Sequence, residues 1–174
     1  MVVPAGLERY IPCCYDGHPM ISVRGAGIND VDAIVRLVNT AFLVELFFIE
    51  RDRTNPETVR TLMEKGKFLL AEDGPNLVGC VYVELRGERG YLGMLSVEPA
   101  RQRMGLGRQL IDAAENFFRD SGCRISDLLI VNVRTELLTM YRGLGYVETG
   151  TAVYKERVPT KMPVHFIAMS KSLV

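Results

Sequence analysis

Apolar residues recur at helical spacing in four segments of the chain. After the capping candidates Asn29 and Asp30, they fall at positions 31, 34, 35, 38 and 42, which is the spacing of an amphipathic helix. Asn55 followed by Pro56 predicts the start of a second helix that ends near Lys65. A third helix is predicted from Leu106 to about residue 120, and a short fourth over 135–142.

Runs of β-branched, aromatic and other apolar residues between these helices predict strands. They cover 20–24, 68–73, 77–87, 91–97, 125–133, 145–150 and 164–171. Turns at 74–76 and 87–90 join three of these strands into a meander, and Gly93 indicates a bulge or a close backbone approach in the third. The loop 151–163 is long enough to suggest a function. This order predicts one α/β domain over 20–174, behind an irregular lead-in at 1–19.

Composition and charge narrow the class of protein. The chain has 174 residues, 48% of them hydrophobic, with 21 basic and 21 acidic side chains, which argues against a broad nucleic-acid surface. No run approaches the roughly 20 apolar residues of a membrane span, and the N-terminus lacks the pattern of a secretory signal. We therefore expect a cytoplasmic protein that binds neither nucleic acid nor membrane, and a homodimer remains open.

The cysteines do not form a metal-binding or disulfide pattern. They stand at positions 13, 14, 80 and 123 without CxxC spacing. Cys13, Cys14 and His18 lack a fourth ligand nearby, so the sequence predicts no metal site.

The segment RQRMGLGRQL, residues 101–110, has the character of an anion-binding turn. Gly105 and Gly107 allow backbone amides to approach a phosphate at the start of the third helix, and three arginines, at 101, 103 and 108, cluster around them. The dinucleotide fingerprint fails because its third position is Leu110, and the chain has no Gly-Lys-Ser/Thr triplet of a P-loop. A structural turn that binds nothing is the alternative interpretation.

Two motifs in order resemble those of the GNAT superfamily of acyl-CoA-dependent N-acyltransferases. QRMGLG matches its [RQ]xxGx[GA] signature at Gln102, Gly105 and Gly107, and follows the strand-then-proline segment LSVEPA. YRGLGY, residues 141–146, is similar to its second landmark, a helix-borne tyrosine followed by a glycine and an aromatic residue. The resemblance covers roughly residues 20–171 and implies an α/β (α+β) fold with a mixed, mostly antiparallel sheet flanked by about four helices. One departure is Arg134, which stands where family members often carry an asparagine.

The resemblance also implies how acetyl-CoA is bound. Pantetheine would pair with Leu92–Val97 like an extra strand, and an amide from the Met94–Ser96 region would polarise the thioester carbonyl. The predicted coenzyme residues are Leu95, Ser96, Val97, Gln102, Arg103, Met104, Gly105, Leu106, Gly107 and Arg108.

Two residues are candidates for the proton transfers. Tyr141 matches the family's tyrosine, and a phenol that is protonated at neutral pH can serve as general acid for the leaving thiolate. Strand alternation puts Cys80, Tyr82 and Glu84 on one face, so Glu84 can point into an acceptor groove as the base, or it can be a solvated carboxylate. His165 and His18 are weaker candidates for the base.

These residues predict an N-acetyltransferase that moves an acetyl group from acetyl-CoA to a primary amine of a small molecule or peptide, by direct attack in a ternary complex. Alternatives are a non-catalytic acyl-CoA sensor and a transferase for a longer acyl group. The segments 44–55 and 151–163 would choose the acceptor. Lys155, Arg157 and Lys161 against Glu156 slightly favour one that bears a carboxylate.

Overall fold

The computed structural model describes residues 21–155 and 158–174. The helices are α1 (Val31–Ala41), α2 (Pro56–Lys65), α3 (Leu106–Asp120) and α4 (Thr135–Gly143), with short 3₁₀ turns at Ile28–Asp30, Phe42–Glu45 and Pro99–Arg101. The strands are β1 (Ile21–Gly25), β2 (Lys67–Asp73), β3 (Asn76–Arg86), β4 (Arg89–Val97), β5 (Ile125–Val131), β6 (Val147–Val153) and β7 (His165–Ser172). No helix in these ranges is long and apolar enough to cross a membrane.

The predicted elements are confirmed, and their ends shift by one to three residues. β5 stops at Val131, before the predicted residue 133, and β6 continues to Val153 into the predicted loop. Asn55 caps α2 as predicted, because its side-chain oxygen accepts a hydrogen bond of 2.9 Å from the amide of Thr58. The segment 1–19, the start of the first predicted strand at Met20, and residues 156–157 lie outside the described residues.

Seven strands form one sheet in the order β1-β2-β3-β4-β5-β7-β6. Every neighbouring pair is antiparallel except β4 and β5, so the sheet is mixed and mostly antiparallel, as the resemblance implied. Helices cover both faces. α1 and α2 pack on the face that carries Cys80 and Tyr82, and α3 and α4 pack on the face that carries Val81 and Val83. The predicted alternation along β3 is therefore confirmed.

The centre of the sheet is split where β4 and β5 meet. They pair only from Arg89–Tyr91 against Ile125–Asp127, and beyond these residues no pairing joins them within the described chain. On its other side β4 carries a register shift against β3, where Met94 and Leu95 have no partner and Met94 has a φ of 50°. The bulge predicted from Gly93 thus lies one residue further along. The splayed strands leave an opening in the middle of the sheet.

Candidate active site

A cleft of about 800 Å³ occupies the opening between β4 and β5. One end reaches the turn before α3, and the other reaches the 3₁₀ segment at Phe42–Glu45 together with Thr58 and Leu62 of α2. The far halves of β4 and β5 form its walls, and one face of α4 closes a side. The glycine turn, β4, Glu84 of β3 and Tyr141 of α4, which the sequence singled out for chemistry, therefore contribute to one concave surface.

The turn before α3 has the geometry of an anion site. Arg103 and Gly105 have left-handed backbone angles, with φ of 64° and 81°. Within the described chain, the amides of residues 103–108 donate to no protein acceptor, and the first-turn amides of a helix carry its positive end. A Cβ on Gly107 would meet only Val97 at 3.9 Å and Leu95 at 4.0 Å. Neither conformation nor packing requires glycine at 107, so the space above it is open to a ligand.

The predicted coenzyme residues divide into those that line the cleft and those that support it. Leu95, Val97, Gln102, Arg103, Gly105, Gly107 and Arg108 line it. Ser96 is buried and donates to the carbonyl of Met94 at 3.0 Å, across the bulge. Leu106 packs in the core and Met104 is exposed on the outside of the turn. The side chains of these three residues do not line the cleft, so their contribution is their main chain or their support of the neighbouring residues.

The predicted arginine cluster is wrong in one member. Arg101 turns away from the glycines and pairs with Asp73 at 2.6 Å, where it borders a separate hollow beside α1. Arg101 is the last residue of the short 3₁₀ turn Pro99–Arg101, which precedes the glycine turn. Arg103 and Arg108 remain at the cleft, and the Arg108 guanidinium lies 3.8 Å from the Asp112 carboxylate.

Tyr141 lies in the wall of the cleft and is 6% exposed. Its ring packs edge-on against Tyr146, with ring centres 5.6 Å apart. Burial raises the pKa of the Tyr141 phenol, and nearby Tyr91 raises it further. The hydroxyl donates to no partner among the described residues, so a protonated phenol faces the cleft.

Glu84 also lines the cleft, and it is held from two sides. The Arg86 guanidinium donates to both its oxygens at 2.8 and 3.1 Å, and the Tyr82 hydroxyl lies 3.0 Å away. Arg86 itself stacks on the ring of Tyr91 at 4.1 Å. These bonds, Arg86 first, hold the pKa of Glu84 below its usual range. The carboxylate is ionised and fixed in direction.

Sequence reasoning missed an ion-pair network at the other end of the cleft, in which three of the four side chains are largely buried and Glu136 is exposed. Arg134 donates to Glu45 at 2.9 Å and to Glu136 at 2.5 Å, and Arg53 lies 3.9 Å from the Glu45 carboxylate. All four residues line the cleft. The only sequence signal was Arg134 itself, which departs from the family's asparagine.

The remaining polar candidates do not reach the cleft. His165 is exposed and Phe166, on the opposite face of β7, lines the cleft in its place. Asn132 is used structurally, since its side chain accepts from the amide of His165 at 2.9 Å. Among the described residues no group of three His, Cys, Asp or Glu side chains could hold a metal ion. Cys13, Cys14 and His18 lie outside the described residues.

Comparison with known proteins links this geometry to one family. The profile described as "Acetyltransferase (GNAT) domain" matches residues 45–171. Mycothiol acetyltransferase of Propionibacterium freudenreichii is 25% identical over 148 residues, which cover 79% of this chain and 46% of that protein. The chain thus spans about half the length of this curated relative.

Solved structures show the same fold. The ribosomal-protein-S18-alanine N-acetyltransferase of Escherichia coli superposes with a TM-score of 0.75 at 17% identity, over 88% of this chain and 94% of that one. An N-acetyltransferase of Thermoplasma acidophilum, PaiA, solved in complex with coenzyme A, gives a TM-score of 0.70 at 15% identity, over 87% and 98%.

Proposed function

The chain belongs to the GNAT acetyltransferase family, and we propose that it moves an acetyl group from acetyl-CoA to a primary amine. The observation that carries this proposal is one continuous cleft. An amide-lined turn lies at one end, an unpaired strand edge runs along it, and the Tyr141 phenol faces its middle. A solved relative in fold binds coenzyme A, which supports the choice of donor.

The proposed mode of coenzyme A binding follows from the backbone of the turn before α3 and of β4. The free amides of residues 103–108 and the cations of Arg103 and Arg108 suit the pyrophosphate. From there pantetheine extends along Leu92–Val97, on the side where β4 has no pairing with β5. The bulge frees Met94 and Leu95 from the ladder with β3. An amide of the Met94–Ser96 region can therefore donate to the thioester carbonyl and to the oxyanion that follows.

The acetyl transfer proceeds by direct attack in a ternary complex. The neutral amine adds to the thioester carbon, and the tetrahedral intermediate collapses with cleavage of the carbon–sulfur bond. The departing thiolate receives the Tyr141 proton, and the proton of the former amine passes to Glu84, directly or through water. Burial raises the pKa of the Tyr141 phenol, and desolvation in the cleft would raise the pKa of the departing thiol in the same direction.

The acceptor is a primary amine whose pKa is not high. An α-amine with a pKa of about 8 is roughly 10% neutral at pH 7, whereas a lysine amine is neutral at well under about 0.1%. Glu84, held in its ionised form by Arg86, is a weak base. The site therefore favours α-amines and other low-pKa amines over lysine side chains.

A panel of amines incubated with acetyl-CoA, with thiol release as the readout, tests this proposal. We expect release that depends on both the amine and the acetyl-CoA, with an acetylated amine as product. Coenzyme binding by calorimetry without turnover on any amine would support a non-catalytic sensor instead. Faster thiol release from longer acyl-CoA thioesters than from acetyl-CoA would indicate that the protein transfers a larger acyl group.

A further inference from the structure

A group of exposed apolar side chains lies on the segments that border the proposed acceptor end of the cleft. We call it the apolar rim, and it consists of Leu43, Val44, Leu46, Phe47, Met140 and Met162, each 38% exposed or more. Large exposed apolar groups are common singly, but a contiguous set indicates a contact surface. Val44 and Met140 line the cleft as well as facing solvent, so the rim is continuous with the site of transfer.

Backbone contacts hold the rim in place. The Lys161 ammonium donates to the carbonyl of Leu46 at 2.5 Å, and the Lys161 amide donates to the carbonyl of Phe48 at 2.8 Å. An isolated bridge pairs Ile49 with Thr160. Phe48 and Ile49 are buried beneath the rim with Val158 and Phe166. The loop after β6 is thereby fixed to the residues that follow the 3₁₀ segment, and Lys161, which precedes Met162 in the sequence, contacts Leu46.

Charge at this end of the cleft is internally compensated. Glu45 pairs with Arg134 and Arg53, Glu136 pairs with Arg134, and Glu84 pairs with Arg86. A charged acceptor group would have to displace an existing partner to gain an ion pair. Lys161, one of the loop cations that slightly favoured a carboxylate-bearing acceptor, is already bound to Leu46. Among the described residues that line this end of the cleft, Glu45, Glu136 and Glu84 are paired, whereas Val44 and Met140 are exposed.

We propose that the acceptor presents its amine from an apolar body, such as a peptide whose second residue is apolar, and that the apolar rim is the surface that selects it. This inference rests on the proposed acetyl transfer and names the class of acceptor. The amine reaches past Val44 to the thioester, and the neighbouring apolar side chain lies against Val44 and Phe47. Burying part of a leucine-sized side chain here favours such an acceptor about tenfold.

The test uses the full chain, acetyl-CoA and four short peptides. They share an N-terminal alanine and differ only at the second residue, which is leucine, phenylalanine, glutamate or lysine. We expect kcat/KM for the leucine and phenylalanine peptides to exceed that for the other two by about tenfold or more. Equal rates on all four peptides would overturn the inference and leave acetyl transfer standing. Absence of transfer to every amine would overturn both.

A matched pair of variants assigns the preference to the rim. Val44→Ser removes a rim side chain that is 57% exposed, and Val147→Ser removes one that is 62% exposed on β6, outside the cleft. We expect Val44→Ser to lower kcat/KM for the leucine peptide several-fold, and to leave the glutamate peptide and the KM for acetyl-CoA unchanged. Val147→Ser should behave as wild type. If Phe47→Glu instead converts a dimer to a monomer in sedimentation with the peptide preference intact, the rim joins two copies of the chain and the inference is wrong.

Discussion

At the scale of single residues, Tyr141 offers the sharpest separation of chemistry from packing. Tyr141→Phe keeps the ring against Tyr146 and removes a hydroxyl that donates to no described residue. No buried group loses a partner, so the melting temperature and the affinity for acetyl-CoA should hardly change. Turnover should fall about 100-fold or more, because the thiolate loses its proton donor. A phenylalanine variant as fast as the wild type would remove Tyr141 from the mechanism.

A second prediction concerns Glu84 and Arg86 and the way turnover depends on pH. If Glu84 is the base, Glu84→Gln lowers turnover by about 100-fold. Arg86 holds the pKa of Glu84 low, so Arg86→Gln raises that pKa towards its ordinary value. A base works when ionised. The variant should therefore resemble the wild type near pH 7 and fall behind it as the pH drops below about 5, through the ordinary carboxyl pKa of about 4.3.

The quantity to measure is the ratio of variant to wild-type turnover at each pH. The ionisation of the acceptor amine affects both proteins equally, so it cancels in this ratio. A ratio for Arg86→Gln that stays constant with pH would show that Glu84 does not titrate in the reaction. Glu84→Gln with near-normal turnover would demote the residue to a structural partner of Tyr82.

At the scale of elements, substitutions at the start of α3 distinguish the effect of backbone strain from the effect of lost ligand contact. Gly107→Val places a side chain in open space above the free amides, so we expect the KM for acetyl-CoA to rise at least about tenfold with little loss of thermal stability. Gly105→Val should lose stability as well, because its φ of 81° strains any β-branched residue by roughly 1–3 kcal/mol. Gly143→Val, in α4 with no atom near its Cβ, is the control. Unchanged binding of coenzyme A by Gly107→Val in calorimetry would contradict the anion-site assignment.

The packing of α3 on the sheet gives a prediction about stability alone. A Cβ at Gly90 would lie 2.2 Å from the Phe118 ring, which is fully buried. Gly90→Ala should therefore lower the free energy of unfolding by about 1–3 kcal/mol. Gly25→Ala, with nothing within 4 Å of its Cβ, should be neutral. Denaturant titration of both variants, and of Gly90→Ala combined with Phe118→Leu, checks whether the clash is the cause, since the double variant should recover part of the loss.

The elements also show where sequence patterns stop being informative. α1 and α3 were predictable because their buried residues repeat at helical spacing. β6 was predicted too short because it is an edge strand with almost every side chain exposed, so no apolar pattern marks its end. The Arg134–Glu45 pair joins residues 89 positions apart, and nothing local in the sequence indicates such a contact. The motifs singled out the glycine turn before α3 and Tyr141, which both line the cleft, whereas the ion pairs at the other end of the cleft became visible only in the folded chain.

At the scale of the whole molecule, the cleft depends on segments from nearly the full described length. The rim begins at Leu43, the splayed strands contribute residues 91–97 and 128–131, and Phe166 of β7 closes the far wall. Within the described chain, β4 and β5 separate beyond their short paired stretch, so their facing edges in the middle of the sheet do not bond to each other. A ligand that fills this split would connect two halves of the sheet that otherwise meet only at Arg89–Tyr91 and Ile125–Asp127.

This architecture predicts that coenzyme A stabilises the folded chain as a whole. A ligand that binds only the native state at about 100 times its Kd adds about 2.7 kcal/mol. For a chain of 174 residues that corresponds to a rise in Tm of about 5–10 °C. Differential scanning fluorimetry with and without coenzyme A measures the rise. Tyr141→Phe should retain it, because the phenol acts on the leaving thiolate, whereas Gly107→Val should lose most of it, because its side chain occupies the phosphate approach. An equal rise in all three proteins would place the coenzyme outside the amide-lined turn, and the split between β4 and β5 would then need another occupant.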